Sequence, residues 1–142
     1  MSATTILDAL HTYLETCPIF DGAGLFVDFL PDTGAHFAVD TAPAQPVVKR
    51  YVDGRSIRQY RFDLRLQDAY DGEVLQAIAN SGLFERLVDW MDAQTRARNL
   101  PALPPGKTAQ TISALTTGYL YQPHAELGRW MIQCRLTYLQ EI

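Results

Sequence analysis

Long apolar runs are missing from this chain of 142 residues. No uninterrupted stretch approaches the roughly 20 residues that a membrane-crossing helix needs. The opening MSATTILDALHTYLETC has no basic segment, and Asp8 and Glu15 fall inside its apolar part. It does not read as a secretion signal, and the expectation is a protein made and kept in the cytoplasm. Cysteine is scarce. Cys17 and Cys134 stand far apart, outside any CxxC or metal-ligand spacing, and read as two buried, reduced thiols, with a disulfide between them as the alternative. Positive charge is also short: 12 Lys and Arg against 16 Asp and Glu leave a net charge of −4. That excludes a general binder of nucleic acid or anionic membrane, which needs a basic face, while leaving room for a local basic strip.

Recognisable chemistry is equally thin. His11, His36 and His124 have no second ligand at metal spacing, so each reads as a surface or half-buried polar residue. No GxSxG elbow is present. Cys17 before Pro18 sits at an expected helix C-terminus, where the dipole raises a thiol pKa. Gly22-Ala-Gly24 lacks the third glycine of a dinucleotide loop, and Lys107-Thr108 lacks the upstream glycine of a P-loop. Asp68, Asp71 and Glu73 cluster at an expected strand-to-helix junction. They read as helix caps and dipole partners, with a cation site as the alternative reading. The expectation is therefore no catalytic residue, no metal and no cofactor.

What is present is an ordinary globular composition, 47% hydrophobic and 20% charged. A chain of this length buries about two-thirds of its unfolded surface, enough for a single domain over 1–142 with one core. Residues 2–16 predict an amphipathic helix carrying Ile6, Leu7, Leu10, Tyr13 and Leu14 on one stripe, capped by Thr4 or Thr5 and stopped at Pro18. Short strands are expected at 25–30 and 36–40, joined as a hairpin through the turn residues 31–34. Residues 41–46 read as a loop. Strand 47–52, a tight Asp53-Gly54 type I′ turn and strand 56–67 should make a second hairpin.

In the latter strand Tyr60, Phe62, Leu64 and Leu66 alternate with Gln59, Arg61, Asp63 and Arg65, the pattern of a sheet with one wet face. Helical segments follow at 71–80 and 83–98, with Ser81-Gly82 between them and the Pro-rich stretch 99–106 beyond. Residues 111–121 and 129–138 predict two long strands joined through 123–128. In the last, Trp130, Ile132, Cys134, Leu136 and Tyr138 share one side. There is no βαβ alternation and no internal repeat. The fold class expected is α+β, a mainly antiparallel sheet with helices packed on one face.

Five arginines stand out. Arg55, Arg58, Arg61 and Arg65 fall on or beside one strand, and Arg135 lies on the polar face of another. Guanidinium forks suit bidentate pairing with carboxylates and are favoured at protein interfaces. They are candidate subunit-interface residues. An ordinary solvated sheet face and a nucleic-acid contact are the alternatives.

With these segments in order, the chain resembles a known family. VVKRYVDGRSIRQYRFDL at 47–64 is similar to the "p..vv..Yv.G...rqy.F.l" signature of the tail terminator, or minor capsid (tail completion), proteins of long-tailed bacteriophages and prophages. Tyr70-Asp71, NSGLFE at 80–85, Trp90 and LPAL at 100–103 resemble its middle. Residues 113–120 and WMIQCRLTY at 130–138 resemble its closing strands, and 6–14 and 22–30 fit in place. The likeness covers nearly the whole chain and rests on the order of segments.

The resemblance implies a structural phage protein that forms a hexameric ring on the tail tube, stops its polymerisation and offers a surface for head attachment. Its implied partners are further copies of itself, the major tail tube protein and the head-completion or connector protein. Genomic DNA would pass through the lumen without specific binding, and no membrane is involved. The implied location is the host cytoplasm during assembly, then the head-proximal end of the tail in the virion. A head–tail joining protein or an assembly factor is the alternative. A small enzyme or ligand-binding module, with a pocket holding Asp68, Asp71 or His124, is the remote one.

Overall fold

The computed structural model describes residues 5–20, 25–27, 36–69, 74–124 and 127–142. In chain order these form helix α1 (Ile6–Leu14), a 3-10 turn (Pro18–Phe20), strands β1 (Leu25–Val27), β2 (His36–Ala42), β3 (Val47–Arg50) and β4 (Ser56–Ala69), helix α2 (Val74–Ala97), and strands β5 (Lys107–Ala114), β6 (Tyr119–His124) and β7 (Leu127–Gln140).

The two long strands make the spine. β4 and β7 pair antiparallel from Ser56↔Gln140 to Ala69↔Leu127. Each has 14 residues, about 45 Å of extended chain. The outer edge of β4 carries β2 and β3 one after the other, and the outer edge of β7 carries β5 and β6 in the same way. All these pairings are antiparallel, and among the described residues only the short β1–β2 pair is parallel. The protein is thus an α+β fold dominated by its sheet.

Period-two alternation decides which face is buried. Phe62, Leu64 and Leu66 of β4 and Trp130, Ile132, Cys134, Leu136 and Tyr138 of β7 are all buried, as the sequence pattern requires. With the exception of Tyr138, they join Leu10, Tyr13 and Leu14 of α1 and Phe84, Leu87 and Met91 of α2 in one apolar cluster. The helices meet at Tyr13 and Trp90, whose rings lie 5.4 Å apart. The Tyr13 hydroxyl donates to the Asn99 carbonyl at 2.8 Å. Burial, aided by nearby Cys17, pushes the Tyr13 phenol up to about 12. Thr5 caps α1 by accepting from the Asp8 amide. Thr95 of α2 plugs the free edge of β5: its hydroxyl donates to the Ile112 carbonyl at 2.8 Å and accepts the Ile112 amide at 3.0 Å.

Several expected elements differ. β1 and β2 run parallel, not as a hairpin. Two short apolar strands carry the same pattern in either direction, so sequence alone does not set the pairing. β2 continues through Thr41 and Ala42, shortening the expected loop to residues 43–46. The turn after β3 is not type I′. Gly54 alone takes positive φ (99°), its amide donates to the Tyr51 carbonyl, and the Tyr51 amide donates to the Arg55 carbonyl. This is a three-residue turn with a glycine bulge.

α2 runs unbroken past Ser81 and Gly82. A helical glycine costs about 1 kcal/mol against alanine and does not end a helix whose flanks pack well. The helix closes at Arg98 (φ 56°), with the Arg98 and Asn99 amides donating to the Thr95 and Gln94 carbonyls. β6 continues through Pro123 and His124, shortening the expected connection before β7.

The single strand expected at 111–121 is two, β5 and β6, with a break at 115–118. There the Thr116 hydroxyl takes the place of a ladder carbonyl and accepts the Gln133 amide at 3.1 Å. A Cβ on Gly118 would lie 2.3–2.7 Å from Phe84 atoms, so only glycine fits against that ring. Gly118→Ala is expected to cost about 1–3 kcal/mol in denaturant unfolding, because Phe84 is buried and cannot swing aside freely. The expected break at 22–24, strand residues 28–30, the turn at 31–34, and Asp71 and Glu73 lie outside the described residues, as do the side chains of His36, Asp68 and His124.

Candidate functional site

With both helices on one side, the other face of the sheet displays the odd-numbered residues of β4 and β7. Register sets them in rows. Ala42, Arg61, Arg135 and Ser113 form one row across β2, β4, β7 and β5. Asp40, Asp63 and Gln133 form the next, and Ala38, Arg65 and Met131 the one after. A further row places Gln67 opposite Arg129, whose Nε donates to the Gln67 amide oxygen at 3.0 Å. At that end the face is itself covered: Ala38 and Gln67 are fully buried.

Three of the five arginines singled out in the sequence therefore share this face. Arg65 makes a bidentate pair with Asp40 one row away; one arm is the Nε contact, the other Nη2 to Oδ1 at 3.0 Å. Such a fork is the strong form of the ion pair. Arg61 and Arg135 are direct cross-strand neighbours, two like charges opposite one another, which is unfavourable within a chain. The Nε atoms of both are buried and have no hydrogen-bond partner, and neither does the buried Oε1 of Gln59 on the next row. Among the described residues, these are the buried side-chain polar atoms left unsatisfied, and all three fall in one patch. A shallow recess of about 190 Å³ lies beside it, lined by Arg61, Asp63 and Gln133 with Pro43 and Leu115 at the rim.

The other two arginines go elsewhere. Arg58 lies on the helix side of β4, opposite Tyr138, with its Nε donating to the Ser56 hydroxyl at 3.0 Å. Arg55 sits at the β3–β4 turn, paired with Asp53 at 2.7 Å. Sequence reasoning places Arg61 and Arg65 on the polar face by alternation. The Arg61–Arg135 juxtaposition depends on a long-range register that alternation does not supply.

Asp63 faces Asp40 directly across β2 and β4. Burial and the Asp40 charge raise its carboxyl above the usual range, with Arg65 pulling the other way. A raised carboxyl pKa makes ionisation cost the folded state, so this group's stabilising contribution is present at low pH and lost as pH rises through the folded value. Asp63→Asn is expected to raise the thermal midpoint at neutral pH. The gain should close as pH falls below about 4, where the carboxyl is protonated in both states. Thermal melts from about pH 3 to 8 check this.

Elsewhere the groups are bland. Cys17 and Cys134 are free and buried, and burial pushes both thiols up, away from the reactive thiolate. His11 ties α1 to β1: Nε2 donates to the Leu25 carbonyl at 2.8 Å while Nδ1 lies 3.1 Å from Glu15. A recess of about 820 Å³ beside the loop after α2 has Arg98 and Lys107 as its charged lining, both cations with no acid or base opposite. Among the described residues no three His, Cys, Asp or Glu side chains gather, and no helix is long and apolar enough to cross a membrane. No protein-family model matches the chain, and no curated protein matches it.

Proposed function

We propose that the chain is a non-catalytic structural subunit of a bacteriophage tail, a terminator that assembles as a hexameric ring on the tail tube, stops its growth and presents a surface to the head connector. Two lines support the reading. The first is the order of segments from the 47–64 signature to the closing strands, which resembles that family. The second, which carries the argument, is the patch at Gln59, Arg61 and Arg135. Buried guanidinium donors without partners are costly to a lone chain. A carboxylate from a neighbouring subunit would satisfy them and neutralise the opposed charges. Under this reading the sheet face is a docking surface, and Arg65, already held by Asp40, is not the arginine that awaits a partner.

The acidic net charge fits the same role, since a lumen that DNA slides through should not attract phosphates. A strongly positive lumen in the assembled ring would contradict that part. The test is to mix purified protein with tail tubes and ask, by electron microscopy, whether it caps one end and halts extension. Particles made without it should carry abnormally long tails. Tails of normal length detached from heads would instead mark a joining protein and overturn the terminator reading.

A further inference from the structure

The Arg61–Arg135 face gives the ring reading one docking surface, and two further features of the surface match each other. The first is the tip of the β3–β4 hairpin. Val48 is 52% exposed, Tyr51 is exposed and Val52 projects wholly into solvent. Cations surround them: Lys49 Nζ lies 5.1 Å and the Arg55 guanidinium 5.8 Å from the Tyr51 ring centre, and Arg50 is exposed beside them. With Asp53 the sole carboxylate of residues 47–55, the tip carries a net charge of +2 (three cations, one anion). An exposed apolar cluster at a strand end is a liability unless something covers it.

The second feature is a groove of about 450 Å³ between α2 and the β5–β6 break. Phe84 and Val88 supply its apolar part, Thr117 and Gly118 its opposite wall, and Glu85 and Asp89 its charges. Both carboxylates are on the exposed side of the helix. At its floor Phe84 packs directly against Gly118, where any Cβ would overlap the ring. It is an apolar slot with an acidic lip, the complement in both respects of the hairpin tip.

The two features lie toward opposite ends of the sheet. The hairpin joins β4 at Ser56, opposite Gln140 of β7, whereas Gly118 precedes Tyr119, opposite Met131. The nine residue-to-residue steps from position 131 to position 140 span about 30 Å of strand. A hairpin of this length does not reach the groove of its own chain, so the contact passes to another molecule. We infer that the basic β3–β4 hairpin tip of one copy seats in the acidic Phe84–Val88 groove of the next. The contact is heterologous, joining two different patches, and such contacts build rings when the rotation closes. This inference rests on the ring reading and specifies its subunit contact. The charges provide the specificity: like-signed ends repel, so hairpin does not meet hairpin.

The test uses tethering through one introduced cysteine per protein in the full chain. The native Cys17 and Cys134 are buried and do not compete. Val52→Cys and Val88→Cys proteins are mixed under mild oxidation, with and without tail tubes. The expected result is a covalent heterodimer joined between positions 52 and 88, at least about five-fold more abundant than the homodimer from either protein alone. Adding Lys49→Glu and Arg50→Glu to the first protein should abolish it. Adding Glu85→Lys and Asp89→Lys to the second should then restore it, which also shows that the reversed chains are folded. A homodimer of the V52C protein formed as readily, a yield indifferent to charge reversal, or no link even on tubes overturns the contact. Capping of tubes by the unmodified protein without any 52–88 link refutes this contact alone. The link without capping refutes the terminator reading alone.

Discussion

Phe62→Ala is expected to remove about 3–5 kcal/mol of stability, a large part of what a domain of this size possesses. Phe62 is fully buried at the middle of β4, with Thr41 of β2 on one side and Cys134 of β7 on the other. It belongs to the cluster that binds both helices to the sheet. Its loss would open a cavity beneath two helices, and the 14-residue β4–β7 ladder is too regular to collapse into it. Val52→Ala is the matched control. Its side chain is wholly exposed, so its removal should shift stability by less than about 0.5 kcal/mol. Urea unfolding followed by tryptophan fluorescence reads both, since Trp90 and Trp130 lie in or against the same core. A shift in midpoint without a change in slope would show that stability alone was affected. A Phe62→Ala loss no greater than that of Val52→Ala would mean that the core is not organised about β4.

Local pattern explains most of what the sequence foretells. Alternation in 129–138 and 56–67 identifies the two spine strands and their buried faces, because a side-chain period of two follows from strand geometry whatever the partner. The Leu10, Tyr13 and Leu14 stripe identifies α1 for the corresponding helical reason. The failures share another cause. Gly82 reads as a stop, but its cost is small against the packing of Phe84 and Leu87 just beyond it. Residues 111–121 read as one strand because Thr116 and Thr117 bridge the β-branched residues before the break to Tyr119 and Tyr121 after it; at the break Phe84 presses on Gly118, a tertiary contact. The parallel β1–β2 pairing and the Arg61–Arg135 opposition are likewise long-range facts. The arginines can be enumerated from the sequence. Which of them are satisfied internally cannot, and that difference separates Arg65, Arg58 and Arg55 from the Arg61–Arg135 pair.

Replacing both Arg61 and Arg135 with methionine should accordingly make the isolated chain more stable and its assembly worse. The double change removes two buried Nε donors that have no partner and a like-charge pair set face to face. Apolar side chains of similar length in their place are expected to gain about 1–2 kcal/mol for the free subunit. If the guanidiniums are kept to receive a neighbour's carboxylates, the same change should weaken tube capping at least about ten-fold, as measured by titrating protein against tubes. Arg65→Met is the contrast. It breaks an existing fork and leaves Asp40, only 18% exposed, without that partner, so it should lower the free subunit's stability by about 1 kcal/mol or more. Opposite signs for the two changes would follow if one arginine serves the fold and the other two serve a partner. A double variant that is destabilised yet caps normally would show that Arg61 and Arg135 find their partners within the chain, and the sheet face would lose its claim as the docking surface.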